Sequence, residues 1–186
     1  MKKNRFFTLV CLMALLLMVM TGCKSDSTAE LWSYIHAPEE TVLTIDEAKK
    51  SFIFENVSYS FTKDDNFFNL RNASGAESKM RYVMEKDKML LYKTTSYTYQ
   101  GEGTPANICG VWNNDQNLSF EFNELGEFRE DGYFPGYYTI NEADSTIKLV
   151  YNDHFEDTVI YYSLEGNTLT IEYPWPMVHT TAQETK

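Results

Sequence analysis

The feature that most constrains this chain is the regular alternation of short runs of apolar and polar residues with tight polar turns through its C-terminal half. Phe120 and Phe122 stand against Ser119 and Glu121. Ile147, Leu149 and Tyr151 stand against Lys148, and Leu169, Ile171 and Tyr173 against Thr168, Thr170 and Glu172. A period of two sends successive side chains to opposite faces, so each run reads as a strand that buries one side. The pattern predicts strands near residues 117–122, 127–130, 136–141, 146–151, 158–164 and 168–173. Turns are expected at Asn123-Glu-Leu-Gly126, Asn141-Glu-Ala-Asp144 and Glu165-Gly-Asn167. The expected class is all-β.

The same plan is written twice. Tyr82-Val-Met-Glu-Lys-Asp-Lys-Met-Leu-Leu91 matches Tyr162-Ser-Leu-Glu-Gly-Asn-Thr-Leu-Thr-Ile171 position for position, and each is a run, a tight turn and a return, which is a hairpin signal. Upstream, Tyr59-Ser-Phe-Thr-Lys-Asp-Asp65 parallels Tyr138-Thr-Ile-Asn-Glu-Ala-Asp144, and Trp32 precedes its hairpin by the same distance as Trp112. This divides the chain into a first copy over residues 31–100, a linker over 101–108 and a second copy over 109–175. The first copy is less regular. Thr44-Ile-Asp-Glu-Ala-Lys-Lys50 fits the start of a short helix, with Thr44 and Glu47 as a capping box, although the repeat makes it a strand and turn. Residues 27–36 also admit a short helix. Pro174 and Pro176 are read as the end of the second copy, leaving 176–186 as a polar tail.

The N-terminus carries an address. Lys2, Lys3 and Arg5 precede an apolar run from Phe6 to Met20 that is too short to span a bilayer core, which needs roughly 20 residues. The run stops at Thr21-Gly22-Cys23 before the polar stretch that begins at Lys24. Met20-Thr21-Gly22-Cys23 resembles the lipobox of bacterial lipoproteins, with Met20 where Leu is usual. The resemblance implies a signal peptide over 1–22, cleavage before Cys23, and a lipid on Cys23 followed by a tether over 23–30. The expected location is then the cell membrane or cell surface, on the extracytoplasmic side.

Gly110-Val-Trp112, Phe120-Glu-Phe122-Asn-Glu-Leu-Gly126-Glu-Phe128, Gly136-Tyr-Tyr138-Thr-Ile140 and the hairpin closing on Leu169-Thr-Ile171 look like the small lipocalin-like domains of unknown function found on many bacterial lipoproteins. The likeness covers residues 109–173 and, more loosely, 31–93, where Leu31-Trp32 lacks the glycine. It implies antiparallel meanders curled into a lipocalin-like barrel, or into two tandem half-barrel copies. It carries over no catalytic residue.

Charge excludes one partner class. Sixteen basic residues fall to 13 without Lys2, Lys3 and Arg5, so 13 − 27 leaves the processed chain at −14, and a nucleic acid would be repelled. Residues 109–186 alone contribute 3 − 14 = −11. No nucleophile elbow, P-loop, paired-histidine zinc motif or Cys-x-x-Cys is present, and no cofactor is expected. His154, within Asn152-Asp-His-Phe-Glu-Asp157, is the best metal or acid–base candidate and reads better as a solvated loop. Glu121, Glu124, Glu127, Glu130 and Asp131 read as a wet acidic face, because Phe120, Phe122 and Phe128 share the opposite side from Glu121 and Glu127. No metal site is expected. With Cys11 in the signal peptide and Cys23 lipidated, Cys109 stands alone, as a small buried hydrophobe.

Aromatic residues make up 15% of the chain and crowd the second copy. Val159 and Tyr161 lie on one face of their strand and Ile160, Tyr162 and Leu164 on the other, so neither face is polar. The strand is buried on both sides, or presents a Tyr-rich β surface, or has one face that lines a cavity or docking patch. Tyr133, Phe134, Tyr137 and Trp175, in or beside turns and prolines, are the candidate binding residues. The functional expectation is a non-catalytic, membrane-anchored module that binds a small amphipathic ligand, a glycan or a protein partner. The rivals are a structural envelope-associated lipoprotein without a ligand and, last, an unrecognised hydrolase.

Overall fold

The computed structural model describes residues 29–152 and 155–180. The first copy forms β1 (Glu30–Tyr34), β2 (Thr41–Asp46), β3 (Ser51–Phe54), β4 (Val57–Lys63), β5 (Phe67–Arg71), β6 (Glu77–Glu85) and β7 (Lys88–Tyr99). The second forms β8 (Gly110–Asn113), β9 (Ser119–Phe122), β10 (Glu127–Glu130), β11 (Phe134–Asn141), β12 (Thr146–Tyr151), β13 (Thr158–Glu165) and β14 (Thr168–His179). Each strand pairs antiparallel with the next and β14 returns to β1, so fourteen strands make one meander sheet closed into a ring.

Side-chain chemistry sets the turns. Asn72, Asn114 and Asn123 each use the side-chain oxygen to accept two backbone N–H groups two and four residues on, which holds the chain in a tight reversal between strands. The β3–β4 turn places Glu55 and Asn56 at φ of 46° and 67°, the left-handed pair that a two-residue hairpin with the strands' own twist requires.

The ring is pinched. β7 and β14, twelve residues each, also pair with one another from Lys88·Val178 to Thr98·Thr168. β1 to β7 therefore close on the C-terminal half of β14, through Trp32·His179 and Tyr34·Met177. β8 to β14 close on the C-terminal half of β7, through Thr98·Asn113 and Tyr99·Trp112. Each lobe is a closed circuit of seven strands of its own copy and a half-strand of the other, and closure removes free sheet edges.

An offset of 80 carries Trp32 to Trp112, Tyr82 to Tyr162 and Lys93 to Tyr173, and Lys93 pairs with Tyr173 at the middle of the shared ladder. Met89 pairs with Met177, while its counterpart Leu169 pairs with Tyr97, whose own counterpart is Met177. The two copies are thus related by a local twofold through the Lys93·Tyr173 pair.

Each lobe has its own core. Trp32, Leu43, Ile45, Phe52, Phe54, Phe61, Phe68, Leu70, Met89 and Leu91 fill the first, together with Met177 from the second copy. Trp112, Phe120, Phe122, Phe128, Ile147, Leu149, Ile160, Leu169 and Ile171 fill the second with Ile108, together with Tyr97 from the first copy. The glycine missing from the first copy has a packing counterpart. In the second lobe Tyr99 lies so close over Gly110 that an added Cβ would sit 2.4 Å from its ring, whereas the counterpart His179 stacks on Trp32 itself, 3.8 Å between centroids.

Several boundaries differ from the expectations. No helix occurs among the described residues. Residues 30–34 are strand, so Glu30, expected in the tether, belongs to β1, and the helix expected over 27–36 does not form in its described part. Thr44 lies in β2 because Leu43 and Ile45 alternate into the core, and Asp46, not Thr44, accepts the turn N–H, from Lys49 at 3.0 Å. Glu47 pairs instead with Lys50 and Lys63. The segment 176–186 is not all tail, since β14 runs on to His179 through both prolines. Pro174 and Pro176 fall where β14 has left β13, last paired at Glu172, and has not reached β1, first paired at Met177. On that side there is no ladder for a missing N–H to break.

Candidate functional site

Eight strands enclose a space that side chains can fill or that can hold one small ligand. Here the large rings of Trp32, Phe52, Trp112, Phe120 and Phe122 occupy the two interiors. Room for a ligand lies outside, in a cleft of about 740 Å3 between the lobes. It forms where β14 changes partner. Leu90 and Tyr92 of β7 and Pro174 and Pro176 of β14 make its floor, with Val83 and Glu85 of β6 on one side. Val159 and Tyr161 of β13, Tyr151, Phe134 and Phe155 make the other.

This placement explains why neither face of β13 is polar. Ile160 is fully buried in the second core. On the opposite face Tyr161 meets Tyr92 edge-on at 5.3 Å and carries the Arg81 guanidinium 3.7 Å from its ring centroid, while Val159 opens onto the cleft. Arg81 is held there by Glu172 at 2.5 Å. The outer face of the second lobe is thus sealed against the first over part of its length, and the cleft is what remains.

At one end the cleft meets a partly buried carboxyl. Tyr151 donates its hydroxyl hydrogen to Glu130 Oε2 and lies 3.0 Å from the Tyr173 hydroxyl. Burial, opposed by the Tyr151 hydrogen bond and reinforced by the nearby Asp131 charge, raises the Glu130 carboxyl above the usual carboxylate range. Burial and the Glu130 charge likewise push up the Tyr151, Tyr173 and Tyr97 hydroxyls. Phe155 continues this cluster outward, 5.7 Å from Tyr151 and 5.1 Å from Phe134.

The architecture does not require an acid at this position. Register aligns the row Trp112–Phe120–Glu130–Phe134 across β8 to β11 with Trp32–Leu43–Phe54–Val57 across β1 to β4. Where the first lobe places Phe54, the second places Glu130. The reading of residues 121–131 as one wet acidic face therefore fails at Glu130. Glu121 and Glu127 do point outward and are exposed, but Glu130 shares its parity with Phe128 and so turns toward the core side. That parity is legible in the sequence.

The four aromatics singled out as candidates are not gathered in one place. Phe134 reaches the cleft. Tyr133 stands 82% exposed in the β10–β11 turn. Tyr137, on the opposite face of β11 from Phe134 and Gly136, borders a shallow depression of about 220 Å3 with Glu121, Glu127 and Arg129. Trp175 belongs to the first lobe, 5.3 Å from Tyr34, with the Lys93 ammonium 4.7 Å from its centroid. Leu90, Tyr92, Tyr151, Val159 and Tyr161 line the cleft and were not singled out. For Val159 and Tyr161 the signal was the apolar second face of β13, which the sequence offered as a cavity lining.

Cys109 is partly buried, its Sγ 3.5 Å from the Tyr138 hydroxyl. Cys23 and His154 lie outside the described residues, as does the structure of the signal peptide. Among the described residues no group of three or more His, Cys, Asp or Glu is placed to hold a metal ion, and no helix is long and apolar enough to cross a membrane. Comparison of the chain with protein-family models, with curated proteins and with solved structures found no match in any of the three.

Proposed function

We propose that this chain is a lipid-anchored extracytoplasmic protein, lipocalin-like in its closed meanders, that binds a small amphipathic molecule in the cleft between its lobes without acting on it chemically. The cleft carries the reading: a floor of Leu90, Tyr92, Pro174 and Pro176, a wall of Val159 and aromatic rings, and one desolvated polar group at its end are the ingredients of a small-molecule site. The non-catalytic part draws support from the partners of Glu130. They are phenols whose protons are held more tightly than usual, and such groups are poor proton shuttles at neutral pH. The membrane part rests on the Cys23 motif.

Titration with N-phenyl-1-naphthylamine, a neutral apolar dye that brightens on leaving water, tests the site. Saturable binding near one equivalent is expected. Phe155→Ala combined with Val159→Glu should weaken it at least tenfold with little change in melting temperature, because both side chains are largely exposed. Absence of saturable binding, or binding indifferent to these changes, would refute the cleft as the site.

A further inference from the structure

We infer that the cleft selects ligands bearing an organic ammonium group, seated between the Glu130 carboxyl and the rings of Tyr151, Phe155 and Phe134. This rests on the cleft being a ligand site and adds the class of ligand.

The molecule already shows how it binds its own cations. Lys93 sits beside the Glu55 carboxylate at 2.8 Å and against the faces of Trp175, Phe54 and Tyr34, at 4.7, 5.4 and 5.6 Å. Arg81 sits between the Glu172 carboxylate and the rings of Tyr161 and Phe67, at 3.7 and 4.5 Å. In both, a carboxylate and several aromatic faces enclose one positive charge, the arrangement that recognises alkylammonium ions elsewhere in chemistry. The third such enclosure is Glu130 with Tyr151, Tyr173, Phe155 and Phe134, and among the described residues no Lys or Arg enters it.

The local twofold sharpens the contrast. The counterpart of Lys93 is Tyr173, and the counterpart of Phe54 is Glu130. The first lobe thus places an ammonium against an aromatic ring where the second places a phenol beside a carboxyl. One lobe carries its own cation, and the other carries the seat for one.

Charge along the cleft agrees. Among the described residues the ionisable side chains lining it, tyrosines aside, are Glu85, Glu130, Glu156 and Asp157, and no basic residue lines it. Lys148 neutralises Asp157 from outside, 2.8 Å away. An anion would meet uncompensated negative charge in a site of lowered dielectric, while a cation with an apolar body would satisfy both the acid and the floor. Phe155 packs edge-on against Phe134 at 5.1 Å and tilted against Tyr151 at 5.7 Å, so the three rings form one continuous aromatic wall beside the carboxyl.

Calorimetric titration of the full chain with benzyltrimethylammonium, neutral benzyl alcohol and anionic phenylacetate tests this. The ammonium should bind at least tenfold more tightly than the alcohol, and phenylacetate should not bind. Glu130→Gln, which keeps the shape and the Tyr151 contact, should abolish the tenfold preference. Phe155→Ala, at an exposed ring, should weaken the ammonium at least fivefold and serves as the deciding variant if Glu130→Gln does not fold. Equal affinity for the ammonium and the alcohol, an undiminished preference in Glu130→Gln, or an undiminished ammonium affinity in Phe155→Ala overturns the inference. If the dye N-phenyl-1-naphthylamine still binds in the cleft while the ammonium preference is absent, this inference fails alone. If neither binds, the ligand-binding reading fails with it.

Discussion

Met177 is a residue of the second copy that does its packing in the first lobe, and replacing it tests whether the lobes are one cooperative unit. Its side chain is 0% exposed and lies among Trp32, Leu43 and Met89 of the first core. Met177→Ala removes three side-chain heavy atoms from a filled interior, which costs about 2–5 kcal/mol at such sites. Taking about 3 kcal/mol and a urea slope of about 2 kcal/mol per molar, the unfolding midpoint should fall by about 1.5 M. Melting should drop by roughly 6–12 °C for a chain of this size. The tryptophans allow each lobe to be watched: Trp32 is buried in the first core and Trp112 in the second. Variants keeping only one of them, with the other and Trp175 changed to Phe, report the lobes separately, each compared with its own Met177 parent. Both reporters should show the same shift. When the first lobe melts, the ladder from Lys88·Val178 to Tyr92·Pro174 goes with it, and the strand that supplies Tyr97 to the second core loses half its support. If the Trp112 reporter keeps its midpoint while the Trp32 reporter falls, the shared ribbon does not couple the lobes and the argument is refuted.

Two further outcomes follow from single residues. The Glu130 carboxyl is raised in the folded state, so as pH climbs from the usual glutamate range the unfolded chain gives up this proton first. Stability from this group is therefore fully present at low pH, falls as pH rises through the raised value and then levels off. Glu47, held low by Lys63 and Lys50, and Glu77, held low by Arg71, act in the opposite sense. The measurement is accordingly the difference between wild type and Glu130→Gln in denaturant midpoints against pH, and a difference that does not change with pH would contradict the placement of Glu130. Cys23→Ala should abolish incorporation of labelled palmitate in cells that process lipoproteins, and a variant that still takes up label would refute the anchor.

Much of the local structure is legible in the residues. The expected strands of the second copy match β9 to β13 within two residues and the start of β14, because a half-buried strand writes its two faces directly into a period-two pattern. Asn123 and Gly126 mark their turn because few other residues hold that backbone cheaply. Pro174 and Pro176 mislead, since a proline's cost depends on whether a neighbour waits for its N–H, and that is a property of the sheet rather than of the strand. Thr44 and Glu47 mislead similarly: the spacing of a capping box is local, whereas the burial of Leu43 and Ile45 that overrides it comes from strands elsewhere in the chain.

Alternation and turn chemistry act within a few residues, so the amino-acid sequence is enough to establish the all-β class, the strands of the second copy from β9 onward and the resemblance between the halves. It takes the folded molecule to establish that β7 and β14 exchange their ends, that large buried rings occupy the interiors, and that Glu130 stands beside Tyr151 and Tyr173 at the mouth of a cleft. Those facts arise from pairings such as Lys93 with Tyr173, 80 residues apart, whose energy comes from closing a ring and burying two cores at once. No window along the chain contains both partners, so only the folded molecule shows the cleft.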